Sequence, residues 1–420
     1  MNVATTVLEL DAFLEQVIDR SLIDVEVIEF SDQSDWSISN GALSHRTGGF
    51  FEVIGIEEDF EKEHLMLYQP QSALTGLAVV RDGKELYVLL QVRMEPGNTN
   101  RGQYGPTIQS TPANYLGLHG GRRSSLLDLF YQANLRCTPC GASMQLDLGT
   151  RYLQKSKWHN YVLVDEFFAG EDHMIWVSLH TLTERLEYNN YLNADLRSLL
   201  SVFNWNKLFS VQTDIELPDH SGTMIRMLSY YRDSHSLNYK LKSLQELKGW
   251  NIRPDGIIPL DQKDVAVKMY YTNCLTREVP HWCQPMMSAS SQGRIILLTR
   301  ENNDGSEFLL TMRREAGIEG GYLMDVSDIN YPGEDYTDHL EPQQVILHEF
   351  IQCDEGGRFY QHESIYRVIL TDRSIEITDK QVWVSLSDLK YILGMSNVAS
   401  IQLRCIASLF IMQMNKLLEK

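Results

Sequence analysis

Alternating apolar and polar positions predict a β-hairpin that occurs twice in this chain. Residues 74–80 and 85–94 are β-rich runs separated by Asp82 and Gly83, a dipeptide that strongly favours a tight hairpin turn. Residues 294–299 and 308–312 repeat the pattern, with turn-forming residues between them. Further apolar runs at 160–167 and 367–370 predict additional strands.

Apolar residues at spacings of three and four predict helices near the end of each half. Residues 193–203 and 399–418 have this spacing, and a Trp-Val-Ser-Leu segment precedes each of them. Ser178 and Ser385 in these segments are suited to cap short helices, because a serine hydroxyl accepts a hydrogen bond from a free backbone N–H. The mixture of strands and helices predicts an α+β fold.

The two halves are copies of one sequence. Arg151 and Arg358 are 207 residues apart, and Trp176 and Trp383 have the same spacing without a gap. Leucines from Leu228 to Leu247 recur at helical spacing between the copies. We therefore expect an N-terminal helix, a first repeat, a helical connector and a second repeat, at residues 1–24, 25–210, 211–244 and 245–420.

Composition and charge limit the possible partners. With 37 Lys and Arg against 56 Asp and Glu, the net charge is −19, which argues against a nucleic-acid polymer or an anionic membrane as partner. No stretch approaches the ~20 apolar residues that cross a bilayer, and the N-terminal segment lacks the pattern of a signal peptide. Six cysteines in 420 residues are too few for a disulfide scaffold, so a reducing cytoplasm is expected.

The densest polar cluster begins in the first hairpin. Strand alternation places Gln91, Arg93 and Glu95 on one face, and a long polar loop follows them. Such a face suits either a lined cavity or a solvated edge, and the long loop favours a functional site.

The motif string around this cluster resembles the NDP-hexose 2,3-dehydratase family, whose members are also tandem duplications. The residues that carry the resemblance are Tyr68-Gln69-Pro70, Gln91 to Asn98, Pro106 to Thr111, Asn114-Tyr115, His119-Gly120-Gly121 and Gly149 to Lys155. In the second half Trp282, Gln284-Pro285 and Glu355 to Tyr360 persist, whereas Arg314 to Gly317 departs from the Glu-Pro-Gly element. The first repeat is therefore expected to be the catalytic one.

The resemblance implies two tandem Nudix-like mixed α/β modules, a homodimer, and a dTDP-linked 4-keto-6-deoxyhexose as substrate. Water is lost across C2 and C3 to give a 3,4-diketo sugar, which a partner 3-ketoreductase intercepts in deoxysugar and antibiotic biosynthesis. The reaction requires neither a redox cofactor nor a metal.

The chemistry requires a base for the C3 proton, donors for the C4 ketone and an acid for the C2 hydroxyl. Candidates are Glu95 or His119 as base, Tyr115 or Tyr104 as proton donor, and Arg93, Gln109 or Asn114 as ketone donors. Each proposed base also has a structural alternative. Glu95 is suited to pairing with Arg93, and His119 is suited to a position in a turn.

An anionic sugar nucleotide needs an aromatic plate and phosphate donors. Arg151 and Arg358 are suited to the diphosphate, and Tyr68 and Trp282 to stacking on the base. The remaining expected binding residues come from the matched motifs: Gln69, Asn98, Gly149, Thr150, Tyr152, Asn190, Gly357, Phe359 and Tyr360.

Two other functions are compatible with the sequence. The altered second copy suggests a nucleotide-sugar-binding protein without turnover. A Nudix hydrolase is the weaker alternative, because Arg313-Arg314-Glu315 is not followed by the acidic residues that hold Mg²⁺ in a Nudix box.

Overall fold

The structure is a computed structural model of the 420-residue chain. It describes residues 1–30, 35–59, 62–117, 126–131, 137–208, 221–235, 238–261, 264–274, 279–302, 305–334, 344–371 and 375–418. No helix among these described residues is long and apolar enough to cross a membrane.

The described strands of the first half all precede its last α-helix. Its strands are β1 (Val3–Ala4), β2 (Ile23–Ile28), β3 (Trp36–Ser39), β4 (Ala42–His45), β5 (Glu52–Glu58), β6 (Lys62–Tyr68), β7 (Ala73–Asp82), β8 (Glu85–Met94), β9 (Gly102–Gly105), β10 (Ile108–Ser110), β11 (Cys137–Leu146), β12 (Tyr152–Leu153), β13 (Ser156–Val164) and β14 (Met174–Ser178). Its helices are α1 (Val7–Arg20), α2 (Pro112–Tyr115), α3 (Leu127–Tyr131), α4 (Leu179–Thr183) and α5 (Ala194–Val202), with a 3₁₀ turn at Trp205–Lys207.

The second half follows the same order after a helix of the connector. Its elements are α6 (Ser221–Ser234), β15 (Tyr239–Lys242), a 3₁₀ turn at Leu244–Glu246, β16 (Trp250–Arg253), β17 (Gly256–Pro259), β18 (Ala266–Cys274), β19 (His281–Ser288), β20 (Gly293–Asn302), β21 (Gly305–Arg314), β22 (Tyr322–Asp325), β23 (Asp328–Asn330), β24 (Val345–Cys353), β25 (Glu363–Leu370), β26 (Gln381–Ser385), α7 (Leu386–Gly394) and α8 (Ile401–Leu418).

Each half contains one large mixed sheet with the same connectivity. In the first, the order is β1-β14-β8-β7-β13-β11, with β9 on β8 and β10 on β7; in the second it is β22-β21-β20-β25-β24, with β26 on β21 and β23 on β20. The hairpin strand β7 pairs in parallel with β13, as β20 does with β25. The mixed α/β architecture and the duplication are therefore confirmed, while the likeness to the Nudix fold stays a prediction.

The two smaller sheets exchange strands between the repeats. The sheet β12-β6-β5-β4-β3 is extended by β15, the strand that precedes the second repeat. The sheet β16-β17-β18-β19 is extended by β2, the strand that begins the first repeat. Each repeat therefore supplies backbone hydrogen bonds to the sheet of the other, and the two fold against a shared core.

Two fully buried arginines strengthen this shared core. Arg197 on α5 donates a 2.8 Å hydrogen bond from Nε to Gln352 Oε1 in the second repeat, and Arg404 on α8 donates to the carbonyl of Leu146 in the first. Unpaired buried charge is costly, so these bonds hold the helices in place across the repeat junction.

Local signals predicted most turns and caps correctly. Ser178 accepts from the backbone N–H of Thr181 at the start of α4, and Ser385 forms a capping box with Asp388 at the start of α7. Gly83, with φ at +60°, provides the left-handed position of the first hairpin turn. The predicted N-terminal helix spans Val7–Arg20.

The prediction of helix through the connector was wrong between residues 238 and 247. Leucine spacing there favoured a helix, but β15 pairs antiparallel with β5 and leaves Leu241 exposed. Ion pairs from Lys240 and Lys242 to Glu57, at 2.8 and 2.9 Å, support the strand. Tertiary pairing has overridden a local helical pattern here.

Candidate active site

A cavity with a volume of about 610 Å³ lies between the two repeats. The first repeat contributes Arg93, Glu95 and Gln109 to its wall, and the second contributes Trp282 and Arg358. This volume is typical of pockets for small molecules and cofactors. Neither repeat could form the cavity alone.

The end of β8 carries the polar cluster that the sequence singled out. Arg93 donates from Nε and Nη2 to the same oxygen of Glu95, Oε1, at 3.0 Å each, so Oε2 is not used in this pair. Arg93 Nη1 also donates to the carbonyl of Gln109 at 3.3 Å. Asn193 Nδ2 donates to Gln109 Oε1 at 2.9 Å. This bond fixes the orientation of the Gln109 amide, whose Nε2 group is its donor end. The cluster thus places a carboxylate beside amide and guanidinium donors.

Backbones of the two repeats meet directly beside Glu95. Gly97 donates from its backbone N–H to the carbonyl of Gly356 at 2.7 Å, and a Cβ on Gly97 would lie 1.7 Å from the carbonyl oxygen of Phe359. Only glycine permits this approach. The buried Asn98 also lies against Gly356. The Glu-Pro-Gly-Asn motif therefore joins the end of β8 to the second repeat.

A buried charge cluster forms one end of the cavity. The Lys157 ammonium lies 3.1 Å from Asp147 Oδ2, 2.9 Å from Asp195 Oδ1 and 3.1 Å from Glu355 Oε2. Tyr152 donates to the same Glu355 oxygen at 3.4 Å. Three carboxylates from two repeats therefore share one ammonium group.

Burial and charge shift the pKa values of this cluster in different directions. Burial alone would lower the pKa of Lys157, but the three carboxylates raise it well above its ordinary value. Burial opposes ionisation of Glu355 too, yet Lys157, Arg358 and Lys155 lower its pKa to about 2. Asp195 behaves differently, because burial raises its pKa to about 6 despite Lys157.

Three residues of this cluster were not predicted from the sequence as site residues: Lys157, Asp195 and Glu355. The signal for Lys157 was present: Lys155 and Lys157 occupy alternate positions at the start of a β-rich run, where lysine is rarely buried. Nothing local marked Asp195 or Glu355, since they meet Lys157 across 38 and 198 residues of chain.

Arg358 and Trp282 occupy the wall supplied by the second repeat. The Arg358 guanidinium lies over the ring of Phe51, 4.1 Å from its centroid, and donates to the carbonyl of Gly357 at 2.7 Å. Trp282 donates from Nε1 to Gln284 Oε1 at 3.1 Å. Gln69 Oε1 lies 3.5 Å from Arg358 Nη2. A guanidinium and an aromatic plate thus line one cavity, as binding of a nucleotide diphosphate requires.

The structure brings Arg93, Glu95, Gln109, Asn114, Trp282, Gly357 and Arg358 to this cavity. Tyr115 lies outside its lining, where burial raises the pKa of the phenol to about 12 and Tyr131 donates to its hydroxyl at 3.3 Å. Tyr104, the other proposed donor, is buried and donates to the carbonyl of Leu10 at 2.7 Å. His119 lies outside the described residues.

Other predicted binding residues support the junction between the repeats. Asn190, at φ +51°, donates from Nδ2 to Glu363 Oε1 at 2.7 Å. Tyr152 and Phe359 pack edge to face, with centroids 5.8 Å apart, and Tyr360 stacks on Tyr270 at 4.6 Å. These contacts fix the loops that flank the cavity.

Arg151 and Tyr68 face different surroundings from their counterparts in the second repeat. Arg151 Nη1 lies 3.8 Å from Asp264, and burial lowers its pKa. Tyr68 lines a separate cavity of about 470 Å³ beside β15. Gly149 accepts at its carbonyl from Gly317 N–H at 2.7 Å, mirroring the contact of Gly97, and Thr150 follows it in the same turn.

The polar strand end of the second repeat is closed by internal pairs. Arg313 Nε lies 2.8 Å from Asp325 Oδ2, and Tyr331 donates to Glu315 Oε1 at 2.5 Å. Burial raises the pKa of Glu315 to about 7. This region therefore differs chemically from its counterpart around Glu95.

Comparison with known proteins assigns the whole chain to one group of relatives. A family model described as NDP-hexose 2,3-dehydratase matches twice, over residues 8–203 and 221–410. A dTDP-4-dehydro-6-deoxy-alpha-D-glucopyranose 2,3-dehydratase from Amycolatopsis orientalis is 26% identical over 410 residues, covering 90% of this chain and 84% of the relative. A protein of the same name from Saccharopolyspora spinosa is 26% identical over 442 residues, covering 95% and 90%. One from Streptomyces violaceoruber is 23% identical over 389 residues, covering 87% and 88%.

Proposed function

The chain belongs to the NDP-hexose 2,3-dehydratase family, and on that premise we propose that it removes water from a dTDP-linked 4-keto-6-deoxyhexose. The observation that carries the proposal is the cavity between the repeats, where Glu95 and its donors face Arg358 and Trp282. The product is the 3,4-diketo-2,6-dideoxyhexose nucleotide. The reaction is that of a hydro-lyase.

The C4 ketone makes the C3 proton acidic, so the first step needs a base and a donor to the developing enolate oxygen. Glu95 is the proposed base, held by Arg93 in a fixed orientation. Arg93, Gln109 and Asn114 are the proposed donors to the ketone oxygen. His119 stays an alternative base. Tyr115 stays a candidate for the acid that protonates the C2 hydroxyl.

The nucleotide is proposed to bind along the wall of the second repeat. Trp282 provides a plate for the base, and Arg358 an always-charged donor for the diphosphate. Gln69, a binding residue expected from the motifs, supports Arg358 from a distance of 3.5 Å, and Asn98 lies against Gly356 in the preceding turn. A net charge of −19 makes such a local cationic position necessary for an anionic ligand.

Several wider expectations accompany this function. We propose a homodimer in the cytoplasm, two Nudix-like repeats at 25–210 and 245–420, an N-terminal helix within 1–24, and a connector at 211–244. A 3-ketoreductase is the proposed next enzyme, because the diketo product is reactive. Deoxysugar formation for antibiotic biosynthesis is the proposed setting.

Incubation with dTDP-4-keto-6-deoxyglucose and a 3-ketoreductase tests the function directly. We expect loss of the C2 hydroxyl and entry of solvent deuterium at C2 of the product, because C3 becomes a ketone and then receives the hydride of the reductase. Tight nucleotide-sugar binding without either change would instead identify a binding protein. Mg²⁺-dependent release of nucleoside monophosphate would identify a hydrolase.

Arg358→Gln is expected to weaken dTDP binding by about 10-fold to 100-fold, because a charge-assisted bond to phosphate contributes roughly 1.5–3 kcal/mol. Isothermal titration with dTDP measures this change. Arg151→Gln is the matched control, since Arg151 has the same position in the other repeat but lies beside Asp264. An equal loss in both variants would show that Arg358 has no special role in this cavity.

A further inference from the structure

Lys155 is a buried cation in the cavity wall that the proposed reaction has not yet used. Its side chain is only 3% exposed, and it lies directly before β13. Within the described residues, the hydrogen bond of its side chain runs from Nζ to the carbonyl of Gln71, at 3.3 Å. Lys157, two residues later, is held by three carboxylates. Lys155 therefore keeps N–H groups that donate to no carboxylate in the part of the chain that the structure describes.

The second repeat shows why the Lys155 ammonium has no paired carboxylate among the described residues. At the spacing of 207 residues, Asp147 corresponds to Asp354 and Lys155 to His362. The backbones agree, because Asp147 N–H donates to Lys155 O and Asp354 N–H donates to His362 O, both at 3.0 Å. In the second repeat, His362 Nδ1 is 2.6 Å from Asp354 Oδ2.

Asp147 and Asp354 have different partners in the two repeats because of Lys157. Its counterpart in the second repeat is Ser364, which leaves Asp354 available to His362. In the first repeat the Lys157 ammonium lies 3.1 Å from Asp147 and is paired with that carboxylate. The titratable group at position 155 is thereby left without a carboxylate of its own, at the wall of the cavity.

Four charged groups act on Lys155 from the elements around it. Burial is the largest influence and lowers its pKa to about 8; Glu355 and Asp147 oppose this change, whereas Arg358 and Lys157 reinforce it. At neutral pH most of the amine is protonated. A pKa near the working pH suits a group that gives up a proton and regains it in each turnover.

Building on the function proposed above, we propose that Lys155 is a catalytic residue whose ammonium group protonates the departing C2 hydroxyl. The base takes the C3 proton, and the electrons of that C–H bond move into the enolate at C4. When C2=C3 forms, the C2–O bond breaks and the Lys155 proton completes the leaving water. The resulting 3-enol becomes a ketone as its hydroxyl proton returns to the amine and C2 gains a proton from the base. No oxidant or reductant is needed.

The variant Lys155→Arg distinguishes proton donation from the effect of a positive charge alone, because arginine keeps the charge but does not give up its proton. We expect elimination of the C2 hydroxyl to slow by about 10²-fold to 10⁴-fold. Exchange of the C3 hydrogen with solvent deuterium should continue at a rate near that of the unaltered protein. Lys84→Arg, in the exposed first hairpin turn, is the matched control and should change neither rate.

The pH dependence gives a second readout that needs no variant. The acid must be protonated, so kcat/KM of the unaltered protein should fall as pH rises through about 8. Lys155→Met should bind dTDP but, like Lys155→Arg, show no such fall in its residual activity.

Three results would overturn the proposal. The first is equal slowing of exchange and elimination in folded Lys155→Arg and Lys155→Met. The second is elimination within an order of magnitude of normal in either variant. The third is an unaltered protein without an alkaline limb between pH 7 and pH 10. Absence of both exchange and elimination in the unaltered protein would refute the proposed function itself.

Discussion

Glu95→Gln is expected to lower the rate of C3 hydrogen exchange and of dehydration together by about 10²-fold to 10⁴-fold, the usual contribution of a positioned general base. The amide keeps the shape of the carboxylate, and Arg93 can still donate to Oε1 as it does now at 3.0 Å. Binding of dTDP should change little, because the proposed nucleotide contacts lie on the wall of the second repeat. Two measurements give the effect. They are deuterium incorporation at C3 of the recovered substrate and the reductase-coupled rate of dehydration.

Glu315→Gln is the matched control for that prediction. Glu315 holds the corresponding position in the second repeat, but it is buried, accepts from Tyr331 and lies against Gly149 of the first repeat. We expect it to lower the rate by less than an order of magnitude, or under about 1.4 kcal/mol in the barrier. If Glu95→Gln retained normal exchange, the base would have to be sought elsewhere, with His119 as the first candidate.

The sequence was sufficient to predict those features that depend on neighbours along the chain. The hairpin turn at Gly83, the caps at Ser178 and Ser385 and the polar face of Arg93 and Glu95 all follow from local rules. The repeat was also visible, because a constant spacing needs no knowledge of the fold. The family follows from the same motifs.

Features that depend on pairing across the repeats could not be predicted in this way. The half-exposed pattern of β2 suits any sheet edge, so nothing in it specified β18 as its partner. Similarly, the carboxylates around Lys157 come from three separate parts of the chain. Local propensity contains no information about such partners.

Equivalent sequence positions in the two repeats have different surroundings. Arg151 and Arg358 match in sequence, yet Arg358 lies over Phe51 in the large cavity and Arg151 beside Asp264. The repeats meet through unlike surfaces around each arginine, so equivalent residues have different neighbours. A duplicated motif therefore predicts equivalent backbone positions better than it predicts equivalent chemistry.

Lys157→Met is expected to lower the free energy of unfolding at pH 8 by about 3–5 kcal/mol, the usual result of removing one partner from a buried ion pair. Methionine fills much of the space of the lysine stem but leaves Asp147, Asp195 and Glu355 without the shared ammonium. Because Glu355 belongs to the second repeat, the loss should weaken the junction between repeats. Urea denaturation followed by tryptophan fluorescence measures it.

The loss should become smaller as the pH falls. Without Lys157, burial should raise the pKa of Asp195 further above its unfolded value, and Glu355 would lose the ammonium group that lowers its pKa most. The folded state then binds protons that the unfolded state does not, so the penalty is full above the folded pKa values and shrinks as pH falls through them. Lys84→Met, at an exposed turn, should change stability by no more than about 0.5 kcal/mol at either pH. An equal loss for Lys157→Met at pH 8 and pH 5 would mean that the carboxylates are neutralised by Lys155 and Arg358 instead.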